Sequence, residues 1–404
     1  MKIVNRILKA NQHRDPERLA LKFKAMRSNS FAFFRGTCHL FYDRLPKIGI
    51  SKSEPRTWYC GDLHLQNFGS YKGDNRLVYF DLNDFDEAAL APVSWELARM
   101  ITSILVSARS YDFSNDDAKK LSKQFLKAYV ESLLTGKARW VERETAQGLV
   151  RDLLSQLQQR SRADFLDART YKKHQRRHFI LDNKKSMPVL EAQRAQITEF
   201  IERFALSQPH PEFYQVLDIA RRVAGTGSLG LERYAILVAG KGSPDQNYLL
   251  DLKEARPSAI AKHLPAIQPV WKTEAERIVT LQRRMQAVSM AFLYPQVIDN
   301  KSYVLQALQP FEDRVPLAKH HHQIEHLNGV VTIMGQCLAW AQLRSSGRQG
   351  SAIADELIEF AAHKKWCSRL LELSFELTIQ VMDDWKTYVE AYDQNIFNMN
   401  DLTM

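Results

Sequence analysis

The 404-residue chain contains no apolar run long enough to cross a bilayer; Ile101-Thr102-Ser103-Ile104-Leu105-Val106 has only the length of a core-helix fragment. Its first residues, Met1-Lys2-Ile3-Val4-Asn5-Arg6 and the polar stretch onward through Asn11 to His13, do not read as a secretory signal. Cysteine is scarce. Cys38, Cys60, Cys337 and Cys367 are scattered without C-x-x-C spacing, which speaks against a zinc site or a disulfide framework and for reduced thiols in the cytoplasm. Internal repeats and low-complexity tracts are absent, and the basic residues lack the aromatic interleaving of a dedicated nucleic-acid binder. Neither a membrane span nor a nucleic-acid partner is therefore expected. An apolar fraction of 45% and this length describe a soluble globular enzyme with room for two lobes.

Positive charge is abundant and unevenly placed. Within the formal +10, Arg160, Arg162, Arg169, Lys172, Lys173, Arg176, Arg177, Lys184 and Lys185 crowd one region. Summed potential there would attract a phosphorylated substrate, an acidic protein or nucleic acid. The plainer reading, which we prefer, is a solvated helix face followed by a hairpin. Its turn would be Asp182-Asn183, between His178-Phe179-Ile180-Leu181 and Met187-Pro188-Val189-Leu190.

Two nearby segments carry the residues that phosphoryl transfer requires. That chemistry uses a carboxylate to orient an acceptor hydroxyl and take its proton, an amide oxygen on Mg²⁺, and a second carboxylate on the metal. Asp62, Asn67 and Asp84 supply the set, within Cys60-Gly61-Asp62-Leu63-His64-Leu65-Gln66-Asn67-Phe68-Gly69 and Asp81-Leu82-Asn83-Asp84-Phe85-Asp86-Glu87. The spacing D-x-x-x-x-N matches the kinase catalytic loop. The apolar run Leu77-Val78-Tyr79-Phe80 places Asp84 close to a strand end, where a metal carboxylate can be held rigidly. Asp86 is the expected second ligand, because two-residue alternation puts it on the same face as Asp84.

Gly225-Thr226-Gly227-Ser228-Leu229-Gly230 fits G-x-G-x-x-G, and Lys253 lies in Tyr248-Leu249-Leu250-Asp251-Leu252-Lys253. The glycine pattern alone is equally a dinucleotide fingerprint, with Asp251 about where a ribose-binding acid would sit. Context separates the two. A dinucleotide loop opens a helix, whereas Arg233-Tyr234-Ala235-Ile236-Leu237-Val238 reads as a strand, and the turn cluster Ala239-Gly240-Lys241-Gly242-Ser243-Pro244-Asp245 leads into another. This order makes a lid over phosphates with a lysine beneath it. Gly225, Thr226, Gly227, Ser228 and Gly230 would cover ATP, and Lys253, rarely buried without an anionic partner, would contact its phosphates. The following helix offers Glu274 or Glu276 as the lysine's carboxylate; Glu276 is our choice.

The lid follows the catalytic loop, the reverse of the ordinary kinase order. Circular permutation explains this, since domain termini often lie close together. Residues 1–210 would form the first part of a helix-rich catalytic lobe. Residues 211–310, beginning at the boundary Pro209-His210-Pro211, would form a small antiparallel-sheet nucleotide lobe, and 311–404 would supply the helices that complete the catalytic lobe. The expected class is thus α+β, a two-lobed, circularly permuted protein-kinase-like fold. Helical spacing of Ile324, Leu327, Val331, Met334, Leu338 and Ala341 predicts a helix over 323–344. Ser114-Asn115-Asp116-Asp117 reads as a variant capping box for a helix that ends at Gly136, and 191–204 and 361–392 are further helices.

Together with Ser30-Phe31-Ala32-Phe33-Phe34-Arg35-Gly36, these motifs resemble the bacterial family catalogued as domain of unknown function 2252. Residues 225–230, 250–255, Arg277 and Gln282-Arg283 extend the resemblance over most of the chain. That family is similar to protein kinases and to aminoglycoside and choline phosphotransferases, whose pattern is H-G-D-x-H-x-x-N followed by I-D-[WF]-[ED]. The resemblance implies Asp62 as catalytic aspartate, Asn67 as metal amide, Asp84 as metal carboxylate and Lys253 as phosphate-binding lysine, with ATP and Mg²⁺. The ungapped run from Asp84 to Glu96-Leu97-Ala98 selects Asp84 among the acids of its loop. Cys60 stands where small-molecule kinases have histidine. The family carries no substrate, so the acceptor, a small molecule or a protein, stays open.

Three other readings use the same residues. A pseudokinase would usually have lost one of Asp62, Asn67, Asp84 and Lys253. Nucleotidyl transfer differs only in how the triphosphate lies. A binuclear metallophosphatase would use Asp62-Leu63-His64 as a D-x-H pair, but its G-D-x-x-D and G-N-H-[DE] segments are absent. His64 is expected to hold the catalytic turn by hydrogen bonding, and Arg35 to clamp an acid or contact substrate. His320-His321-His322 reads as exposed helix-start histidines rather than a metal site.

Overall fold

Val93–Ser110 is buried on nearly every side, the charged residues Glu96 and Arg99 included. In the computed structural model, which describes residues 2–45, 54–320 and 322–398, it forms the centre of the larger core. Asn115–Leu134 and Lys365–Asp393 pack against it, and Ile324–Ser345 lies along Asn115–Leu134. The Ser114 hydroxyl accepts the Asp117 N–H at 3.0 Å and starts Asn115–Leu134. Helices at Glu191–Ala205 and Ile324–Ser345 match their predicted spans within a residue or two. The predicted helix over 361–392 is present from Lys365 to Asp393, while residues 361 and 362 belong to a separate helix, Ala354–Ala362, that ends at His363.

The fold is α+β, with 52% helix, 16% strand and antiparallel sheets. The largest sheet runs in the order Tyr294–Ile298, Lys301–Ala307, Tyr248–Glu254, Arg233–Val238, Val216–Arg222, Ser186–Met187. Two-residue alternation divides its faces. Tyr234, Ile236, Leu250 and Leu252 meet Ile197, Phe200, Ile201 and Phe204 of Glu191–Ala205. Ala235, Leu237 and Leu249 meet Leu166 and Phe179 on the other face. The sheet's core therefore begins well before residue 211. Glu274–Met285, though inside the 211–310 span, puts Ala275, Ile278, Leu281 and Met285 into the larger helical core.

The basic region folds differently from the hairpin expected for it. Arg176–Phe179 pairs with Thr170–Lys173, and Ser186–Met187 joins Val216–Arg222. The turn is His174-Gln175, both at positive φ (48° and 59°), as a two-residue hairpin loop of this kind requires, without the glycine or asparagine that would advertise it. Asp182 instead closes a local loop by accepting the N–H groups of Lys184, Lys185 and Ser186. Much of the charge is spent in ion pairs: fully buried Arg177 with Asp167 and Asp245, Arg160 with Asp313, Arg169 and Lys185 with Glu312. Of the histidine run, His321 lies outside the described residues, and the His320 ring contacts Gln323 Oε1 at 2.9 Å.

Candidate active site

The loop from Cys60 to Gly69 is held from beneath by a carboxylate. Glu96 Oε1, fully buried on Val93–Ser110, accepts the N–H of Cys60 at 2.9 Å, the Cys60 thiol at 3.1 Å and the N–H of Gly61 at 3.2 Å. Burial pushes the Glu96 carboxyl up to about 7 against those hydrogen bonds. The scaffolding of the loop at Cys60 thus falls to Glu96. Gly61 has φ +99°, and a Cβ there would fall 2.2 Å from the Glu87 carbonyl oxygen. Only glycine lets the two loops cross so closely.

Asp62 projects from this crossing and is oriented by Arg99. Its Oδ1 accepts from Arg99 Nη2 at 2.6 Å and Nε at 3.1 Å. Arg99 is completely buried, lies 3.7 Å over the Phe34 ring and donates to the Phe34 carbonyl at 3.0 Å. Burial, then Arg35, hold His64 well below its ordinary value, so the ring is neutral. Its Nδ1 meets the Gln66 N–H at 3.0 Å and its Nε2 meets Arg35 Nε at 3.1 Å. A neutral imidazole accepts from only one of these, but both nitrogens face protein donors, and neither is presented to a metal beside Asp62. Among the described residues no group of three or more His, Cys, Asp or Glu stands together as a metal cluster. Arg35 also donates to Gln66 Oε1 at 2.6 Å, so it braces the turn at residues 64–67 instead of clamping an acid.

Asn67 joins the two loops. Its Oδ1 accepts the Asp84 N–H at 2.7 Å, and its Nδ2 lies 3.1 Å from the carbonyl oxygens of Asp62 and Asp84. Beyond it, Lys253 Nζ sits 3.4 Å from both Asp84 oxygens and closer still to Asp86. Burial raises both carboxyls. At Asp84 the Lys253 charge, the Asp86 N–H, Arg233 and the lysine hydrogen bond together outweigh burial and the net is below the ordinary value; at Asp86 the neighbouring Asp84 charge adds to burial and the net is above it. Asp81 points elsewhere, accepting from Arg344 at 3.0 Å. Glu276 is a correction to the predicted set. It does not reach Lys253 but accepts the Lys272 N–H at 2.8 Å at the start of its own helix. Ile278 and Gln282, one turn apart on another face of that helix, line the lysine's chamber.

The glycine loop connects Val216–Arg222 and Arg233–Val238, antiparallel neighbours, and opens no helix. Asp251 is fully buried between Arg222 at 2.8 Å and Arg233 at 2.6 Å. Burial alone would raise its carboxyl, yet the two arginines hold it far below the ordinary range. Neither the helix nor the free acid of a dinucleotide site is present here. The loop tip reaches the Asp62 loop: a Cβ on Gly227 would stand 3.7 Å from Asp62 Oδ2 and 3.3 Å from the Arg35 carbonyl. Two chambers meet at this tip, both lined by Asp84, Asp86 and Gly225. One, about 230 Å³, holds Lys253, Arg233, Ile278 and Val304; the other, about 260 Å³, holds Asp62, Arg14, Lys22 and Glu87.

The sequence motifs that are far apart in the chain thus converge on one cleft. The chain belongs to the family of domain of unknown function 2252. The family model, described as an uncharacterized protein conserved in bacteria, matches residues 14–391. No curated protein and no solved structure matches the chain. In this member of family 2252 the cleft contains residues that motif reading did not single out: Arg99 on Asp62, Glu96 as scaffold, and Arg14 and Lys22 on the glycine loop. Arg14 donates to the carbonyls of Gly227 and Leu229, and Lys22 to that of Gly227. The signal available for Arg99 was its place directly after Glu96-Leu97-Ala98. Arg14 and Lys22 lie more than 200 positions from the loop they touch and had none.

Proposed function

We propose that this chain is an ATP- and Mg²⁺-dependent phosphotransferase with a circularly permuted kinase-like fold, acting on a hydroxyl acceptor. One observation carries the reading: Lys253 stands 3.4 Å from Asp84 across 169 residues of sequence, with Gly227 over Asp62 in the same cleft. That brings together a glycine lid, a strand lysine, a metal-type carboxylate and a catalytic-type aspartate. The triphosphate would lie beneath residues 225–230 with Lys253 on its phosphates. The carboxylate set fits Mg²⁺, which takes one or two carboxylates plus phosphate oxygens and water. The Asp84 side chain is 47% exposed to the cleft with Asp86 beside it, and Asn67 keeps a second amide-oxygen lone pair. When bound, the ion would neutralise charge on the transferring group.

Asp62, aimed by Arg99, would accept a hydrogen bond from the acceptor hydroxyl and take its proton. The acceptor oxygen bonds to the γ-phosphorus as the bond from that phosphorus to the β–γ bridging oxygen breaks, and ADP leaves. Chain order supports permutation, because Ile324–Ser345, after the sheet lobe, returns beneath the first loops: Gln342 lies 3.5 Å from Glu96 and Arg344 pairs with Asp81. The test is incubation with ATP labelled separately at the α- and γ-phosphates in a cell extract. Transfer of γ label alone is expected. Transfer of α label would mean nucleotidyl transfer, and no transfer of either would remove the enzymatic reading.

A further inference from the structure

The chamber on the Asp62 side carries cations with no matching acid. Several of the charges in and around it have fixed partners: Arg99 holds Asp62, Arg256 pairs with Glu254 at 2.8 Å, Lys262 with Asp43 at 2.8 Å, and Lys253 with Asp86, while Arg35 is tied to the His64 ring and Gln66 of the neighbouring turn. Arg14 and Lys22 are different. Lys22 is 2% exposed and donates only to Asn11 Oδ1 at 2.8 Å and the Gly227 carbonyl at 3.0 Å among the described residues. Arg14 donates through Nη1 to the Gly227 and Leu229 carbonyls at 2.8 and 2.7 Å, and its Nε is buried without a partner. Both cations bond the same Gly227 carbonyl, so two like charges stand together on neutral acceptors. Burial and Arg256 lower Arg14 to about 10, and burial with Arg14 takes Lys22 well below its ordinary value. Glu87, a carboxylate of the same chamber, raises both cations through space but accepts the Ala259 N–H at 2.6 Å and no hydrogen bond from either of them.

Buried cations normally have an anionic partner, and charge-assisted bonds to phosphate or carboxylate are the strong way to supply one. At about 260 Å³ the chamber lies just below the usual range of ligand sites, roughly 300–1,000 Å³, which suits a small molecule. We infer that the acceptor is a small hydroxyl compound bearing its own anionic group, a phosphate or carboxylate, bound by Arg14 and Lys22 beside Asp62. This rests on the phosphotransferase reading of the cleft and narrows its substrate class.

The test is calorimetric titration of the full chain with glycerol 3-phosphate, glycerate and glycerol, with ATP titrated separately. The two anions should bind and glycerol should not. Arg14→Gln and Lys22→Gln should each weaken the anions tenfold or more, whereas Lys253→Met should leave them unchanged; stronger binding of one anion identifies phosphate or carboxylate as the preferred group. Hydrogen exchange on the wild type covers the event that either variant unfolds: the bound anion should protect residues 10–36 and not Tyr248–Glu254. Equal binding of glycerol, no binding of either anion, or loss on Lys253→Met with retention on Arg14→Gln would overturn the inference. Failure of ATP to bind while the anions bind would instead overturn the phosphotransferase reading and leave the anion site standing.

Discussion

The two sides of the glycine loop handle charge in opposite ways. On the Lys253 side, Arg222 and Arg233 share Asp251, and Lys253 lies between Asp84 and Asp86. On the Asp62 side, Arg14, Lys22 and Arg35 rest on carbonyls, amide oxygens and an imidazole. Fully paired buried charges set a shape, because each partner fixes the other. Unpaired buried charges are expensive to keep, and a fold retains them where something else completes them. The first chamber is thus a rigid frame whose further positive charge would come with a divalent ion, and the second is a site already biased toward an anion.

Breaking the paired side should have the largest effect. Asp251→Asn would leave two buried guanidiniums short of a charge, and loss of about 3–5 kcal/mol is expected in urea unfolding; a loss under about 1 kcal/mol would show that the paired frame does not hold the lobe together. Next is Glu96, under the Cys60–Gly61 turn. Its carboxyl is raised from 4.5 to about 7, so between those values the folded state holds a proton that the unfolded chain has released. Its contribution is full below about pH 4.5 and lost as pH rises through about 7, by about 3 kcal/mol. Glu96→Gln should flatten the fall in melting temperature between pH 5 and 8; an unchanged slope would assign the pH dependence elsewhere.

Smaller in energy but sharper about chemistry, Asp62→Asn should cut turnover by about two orders of magnitude, or about 2.7 kcal/mol, with ATP affinity intact. Full activity would remove Asp62 from the reaction. The smallest effect is expected at the partition between the chambers. Gly227→Ala adds a methyl 3.3 Å from the Arg35 carbonyl and 3.7 Å from Asp62. It should lower turnover a few-fold with little change in stability, and a large loss of stability would mean that the loop tip is packed as core.

What was legible in the sequence was mostly local. Helical spacing located Ile324–Ser345, the Ser114 cap located Asn115–Leu134, and the pattern around residues 225–253 revealed a glycine loop between strands. The illegible parts depend on long-range contacts. Glu276 looked like a partner for Lys253 because it opens the next helix, but helical periodicity turns it to another face, and Asp86 takes the lysine instead. Arg99 finds Asp62 37 positions away, and Lys22 finds Gly227 across 205. The hairpin in the basic region was missed because its turn, His174-Gln175, adopts positive φ without glycine.

The central claim is that Lys253 and Asp84 form a metal-dependent nucleotide site, and calorimetry of ATP binding tests it most directly. Wild type should bind ATP with Mg²⁺ and much more weakly after chelation, and both Lys253→Ala and Asp84→Ala should weaken binding at least tenfold while remaining folded. ATP binding that is indifferent to Mg²⁺ and to both substitutions, or absent from the wild type, would contradict the account.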